Sequence, residues 1–142
     1  MDIVRFELVD GGLFAYGMTL GELFENAAFG VFSQLFDLRD VSPVQSRPLV
    51  APGDTNNELL ANWIDELQAM SRLERIAPSY FVVDRVEEGG VQGSAAGEPI
   101  DQVPEMGKRL AVVARDVEVS QTPDGWWASV PFLTSGPDLR LV

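Results

Sequence analysis

The chain has 142 residues, enough for one domain with a real core, and 46% of them are hydrophobic against 23% charged. It carries 22 acidic and 10 basic residues, no cysteine and no histidine, giving a net charge of −12. Disulfides, thiolate nucleophiles, zinc–sulfur centres and imidazole catalysis are thereby excluded, and any metal site must use oxygen ligands, which suit calcium or magnesium.

An acidic surface repels phosphate backbones, so direct nucleic-acid binding is not expected. It suits a basic protein partner or a cation. No apolar run approaches the ~20 residues of a membrane span, and Met1 to Phe6 lack the basic-then-apolar order of a signal peptide. A cytoplasmic protein with no membrane contact is the expectation.

In chain order, Val4 to Leu8 alternates apolar and polar residues and predicts a strand. Asp10-Gly11-Gly12 breaks it, and Leu13 to Tyr16 forms a second strand stopped at Gly17. Thr19-Leu20-Gly21-Glu22 fits a capping box, and apolar residues from Leu20 to Leu35 follow at helical spacing. Phe29 and Phe36 lie off that stripe, which predicts cover on a second side of the helix. Asp37 to Ser46 is a loop. Arg47 to Ala51 reads as an edge strand, because Pro48 cannot donate to a ladder. Thr55-Asn56-Asn57-Glu58 is a second capping box, opening a helix that buries Leu59, Leu60, Trp63, Ile64, Leu67 and Met70.

Tyr80 to Val86 is a strand, Glu87 to Gly90 a hairpin signal, and Val91 to Gly97 a weak return strand. Glu98 to Gly107 is a loop. Leu110 to Val119 reads as one long strand, and Trp126 to Phe132 returns after a turn at Thr122 to Gly125, with Pro131 placing that strand at an edge or at its end. No repeat and no linker is evident. The order predicts a single α+β two-layer domain, a mixed sheet with two helices packed on one face.

Three carboxylates stand out. Asp10 lies at a strand end before two glycines, as a cation ligand or as a turn aspartate bonded to local backbone. Asp116 joins it only if their strands are brought together, and Glu22 has a sufficient role as the capping partner of Thr19. A calcium site wants six to eight oxygens, so these three with carbonyls and water suffice for a weak site at most. Trp63 reads as core. In Trp126-Trp127, strand alternation sends one indole inward and one outward, where it serves as a partner contact or an edge cover. Lys108, beside Gly107, lacks the spaced glycines of a phosphate loop. No hydroxyl has a credible base, and a hydrolytic carboxylate pair has no support beyond these same three residues.

Several segments resemble the archease family. Ala15-Tyr16-Gly17-Met18-Thr19-Leu20-Gly21-Glu22 is similar to its signature, and Glu58 to Leu67 to its second helix. Gly97-Glu98-Pro99-Ile100-Asp101 and Asp124-Gly125-Trp126 match a later loop and the last hairpin turn. The resemblance implies an α+β fold and a non-enzymatic accessory protein of the GTP-dependent RNA ligase of tRNA splicing. It also implies an acidic calcium or magnesium site, with Asp10 as the surviving ligand. Where the family shows His-Thr-Ala-Asp, this chain has Glu7, Leu8, Val9 and Asp10. Where the family has Thr-Tyr-His it has Val113, Ala114 and Arg115, and where the family has a late Asp it has Leu133, with Asp138 five positions on. Those departures leave a second expectation open, a protein-interaction or chaperone-like module that keeps the fold without the ligase role.

Overall fold

The structure is a computed structural model that describes residues 5–107 and 109–135. Lys108, Asp138 and the tail after Ser135 therefore lie outside the described residues. The chain runs β1 (Phe6–Val9), β2 (Gly12–Gly17), α1 (Leu20–Phe32), β3 (Gln45–Gly53), α2 (Asn56–Glu74), β4 (Ile76–Glu87), β5 (Gly89–Pro99), β6 (Arg109–Val112), β7 (Glu118–Thr122) and β8 (Gly125–Ser135). Short 3-10 turns occupy Ile100–Gln102 and Ala114–Asp116. The class is the α+β one expected. The strands form two sheets, one of five strands in the order β1-β2-β8-β6 with β7 also on β8, the other β3-β5-β4. Every described pairing is antiparallel.

Both helices touch both sheets. α1 lies against β2 on one side and β4 on the other, while α2 packs on β3 and reaches β6 and β7. The core fills this space: Leu13, Ala15 and Val130 from the larger sheet, Leu23, Phe24 and Phe32 from α1, Leu60, Trp63 and Leu67 from α2. Burying a side chain of this size removes enough apolar surface to stabilise by about 1.5–3 kcal/mol each. Phe29, off the main stripe, meets Phe6 edge-on at 6.2 Å, so α1 is covered on a second side as the sequence predicts.

Both helices start as their capping boxes predict. Thr19 accepts from the Glu22 N–H at 3.1 Å, and the Glu22 carboxylate accepts from the Met18 N–H at 3.1 Å. Thr55 and Glu58 do the same, with Glu58 taking the Asp54 N–H at 2.8 Å. A further bond is shared: Asn26 donates to the Tyr16 carbonyl and Asn62 to the Pro52 carbonyl, each at 2.7 Å. The strand-to-helix corners thus use one pattern twice, Gly-x-Thr-x-x-Glu-Leu-x-x-Asn, from Gly17 to Asn26 and from Gly53 to Asn62. The expectation of no repeat is corrected here; the shared positions are too sparse to stand out until their hydrogen bonds coincide.

One strand reading is borne out and lengthened, and another is corrected. Val91 to Gly97 looked weak because its residues are small, yet it lies in β5, the central strand of the smaller sheet. Smallness is what its place requires. A Cβ on Gly97 would lie 1.9 Å from the Ala77 carbonyl oxygen, and one on Gly93 2.9 Å from the buried Trp63 ring. The long strand read from Leu110 to Val119 is broken into β6 and β7 by the turn at Ala114–Asp116.

Pro131 explains the break. The Val113 N–H donates to the Pro131 carbonyl at 2.9 Å, so that carbonyl points at the β6–β7 edge. In a strand the N–H of a residue points the same way as its C=O, and proline has none to give. The ladder stops there and the chain turns before β7 resumes it. Pro131 therefore lies inside an interior strand rather than at an edge, its missing donor matched to a gap in its neighbour.

Candidate functional site

Asp10 and Gly11 form the two-residue turn between β1 and β2, where Val9 faces Gly12 across the ladder. Gly11 takes φ +78°, open to glycine at no steric cost, which leaves Asp10 in ordinary backbone geometry with its side chain in solvent. None of the ion pairs among the described residues involves it. The Phe132 N–H donates to the Gly11 carbonyl at 2.9 Å and fastens the turn to β8. Three exposed apolar residues occupy the strand ends next to it. Leu8 is 55% exposed, Val9 41%, and Leu133, just beyond Phe132 on β8, 69%. Sequence reasoning missed these three as surface features. Their signal is two adjacent apolar residues breaking the alternation just before a turn.

The other two candidate carboxylates lie elsewhere. Asp116 ends the 3-10 turn that hangs on Pro131 from the opposite side of β8 to β2. One whole strand separates it from the Asp10 turn, and neighbouring strands lie about 4.8 Å apart. Glu22 is at the start of α1, beside the Gly17 end of β2, whereas Asp10 precedes its Gly12 end. Six residues of strand, at ~3.3 Å each, separate those ends. No group of three or more acidic side chains able to hold a metal ion occurs among the described residues. The three candidate carboxylates are thus not gathered at one point among the described residues.

At the remaining family positions, Glu7 accepts a hydrogen bond from the Tyr16 hydroxyl at 2.9 Å on the outer face of the sheet. Burial, that bond and the Glu7 charge together push the Tyr16 hydroxyl above its ordinary pKa. Arg115 is exposed in the 3-10 turn beside Asp116. Trp63 is fully buried, as expected. Of the adjacent tryptophans, Trp126 packs against the core while Trp127 sits with Phe14, edge-on at 6.0 Å, on the other face.

Fold and turn together define a small two-helix α+β protein with one exposed carboxylate at its β1–β2 turn. The sequence matches the Archease protein family (MTH1598/TM1083) over residues 8–132. The chain belongs to the archease family. It is 33% identical to protein archease of Methanosarcina barkeri over 122 residues, covering 82% of this chain and 84% of that one. It is 36% identical to protein archease of Sulfurisphaera tokodaii over 105 residues, covering 73% and 74%. The solution structure of Methanobacterium thermoautotrophicum protein 1598 superposes with a TM-score of 0.69 at 26% identity, covering 94% of both chains. No helix among the described residues is long and apolar enough to cross a membrane.

Proposed function

We propose that this chain is an accessory protein of a GTP-dependent RNA ligase of tRNA splicing, one that promotes guanylylation and turnover of the ligase without catalysing a step itself. The observation that carries the reading is family membership over residues 8–132, combined with an exposed carboxylate at a turn whose flanking strand ends carry exposed apolar residues. A ligase that binds GTP and RNA phosphates needs a positively charged active site. A chain of net charge −12 is steered towards such a surface. Exposed Val9 and Leu133 at the neighbouring strand ends then help to exclude water at the contact, and in a drier setting a single carboxylate acts more strongly than in bulk water. Asp10 is the group presented to the ligase, with no resident ion invoked.

The test is multiple-turnover RNA joining by the ligase of the same organism, with and without this protein. Wild-type protein should raise turnover. Asp10→Asn, which keeps the turn, should lose roughly tenfold or more of that stimulation, as expected when one partner of a desolvated charge contact is removed. An active ligase that ignores the wild-type protein would sink the proposal.

A further inference from the structure

At the opposite end of β2 from Asp10, the tip of the β7–β8 hairpin meets the start of α1 and encloses a surface pocket of about 260 Å³. Tyr16, Trp126 and Trp127 supply aromatic walls, Met18 a flexible thioether, and Glu22 and Asp124 carboxylates. The hairpin tip is pressed so closely onto β2 that a Cβ on Gly125 would lie 2.6 Å from the Gly17 carbonyl oxygen. Met18 is 72% exposed at the rim. Both tryptophans are only half-buried.

We propose that this pocket receives a cationic side chain, an arginine or lysine, from a protein partner, as a second contact point separate from the Asp10 turn. Electron-rich ring faces attract a cation, and indole does so best. Carboxylates at the same place make the preference one for charge rather than for an apolar chain. Among the described residues no basic one lines the pocket, and an acidic rim turns away phosphates and other anions. The volume lies below the ~300–1,000 Å³ typical of small-molecule sites and leaves room for a single long side chain. A helix start ordinarily favours anions, but here Thr19 and Glu22 already take the first N–H groups of the corner, and one oxygen of Glu22 remains for the guest. The overall charge of −12 points to a basic partner surface as the source of that guest.

The experiment needs no ligase, so its outcome is independent of the reading above. The 15N-labelled protein is titrated with a capped Gly-Arg-Gly peptide, with the same peptide carrying citrulline, and with spermidine, following the indole N–H signals of the three tryptophans. The arginine peptide should give saturable millimolar shifts at Trp126 and Trp127 and none at the buried Trp63. Citrulline should bind at least about fivefold more weakly, having lost the cation but kept the shape. Asp124→Asn, which suits the turn, should weaken the arginine response by a similar factor, and Trp127→Leu should remove it while the Trp63 signal stays put. No saturable shift, equal binding of citrulline, or indifference to both substitutions would each overturn the proposal. Tighter binding of spermidine than of the peptide would overturn the protein source of the cation.

Discussion

The two strand-to-helix corners share one set of hydrogen bonds yet end in different surroundings. At the Gly53 corner, Asn57 accepts the Val119 N–H at 2.8 Å, so the helix start is tied to β7 and the corner is closed. At the Gly17 corner the equivalent position is Gly21, with no side chain to tie anything, and the neighbouring hairpin tip leaves the aromatic pocket instead. The equivalent of exposed Met18 is Asp54, a residue at ease in water. The same local code therefore builds a structural joint in one place and an open recess in the other. What differs is the residues the code leaves free.

The sharpest way to break this comparison is to load both corners alike. A Cβ on Gly17 would meet the Leu23 backbone nitrogen at 2.3 Å, and one on Gly53 the Leu59 nitrogen at 2.8 Å. Backbone cannot step aside as a side chain can. Gly17→Ala should cost about 3 kcal/mol and Gly53→Ala nearer 1 kcal/mol, the upper and lower parts of the range for overpacking. Denaturant midpoints check this; equal costs would mean that the corners relax alike.

The asparagine locks come next. Asn26 is 6% exposed, whereas Asn62 is only partly buried. Asn26→Ala strands a carbonyl where water has little access and should cost about 2 kcal/mol, while Asn62→Ala should cost about 1 kcal/mol or less because water replaces the bond. A reversed order would show that the Gly17 corner is wetter than its side chains indicate.

The smallest effect is electrostatic and lies outside both corners, so it serves as a control. The Arg39 guanidinium, and then its backbone N–H, hold the Asp37 carboxyl down at about 2 from an ordinary 3.8. A depressed carboxyl contributes above its unfolded pKa, and the contribution fades as pH falls through about 2. Carboxyl NMR titration should place the Asp37 midpoint there, and Arg39→Ala should return it to the usual carboxylate range. Neither change should disturb the indole signals of Trp126 and Trp127.

Much was legible in the chain. Capping boxes, apolar stripes and the hairpin signal are local, because a helix start or a two-residue turn is decided within a few positions. Both helix starts, the α2 core face and the inward and outward tryptophans were readable for that reason. The candidate site was legible only as one residue, Asp10 at its turn. That Asp116 lies across β8 and Glu22 at the far end of β2 depends on which strands pair, information held in contacts between distant parts of the chain.

The sequence by itself determined the helix starts, the turn at Asp10-Gly11, the acidic character and the family. Tertiary structure decided three things. It made the glycine-rich β5 the central strand, since only neighbours 1.9–2.9 Å from an added Cβ reveal why small residues are needed there. It split the strand expected from Leu110 to Val119, since a missing proline donor matters only to the strand placed beside it. And it separated the three carboxylates while gathering one of them, Glu22, with Asp124, Tyr16 and two tryptophans into one recess, because proximity belongs to the packed chain and not to residue order.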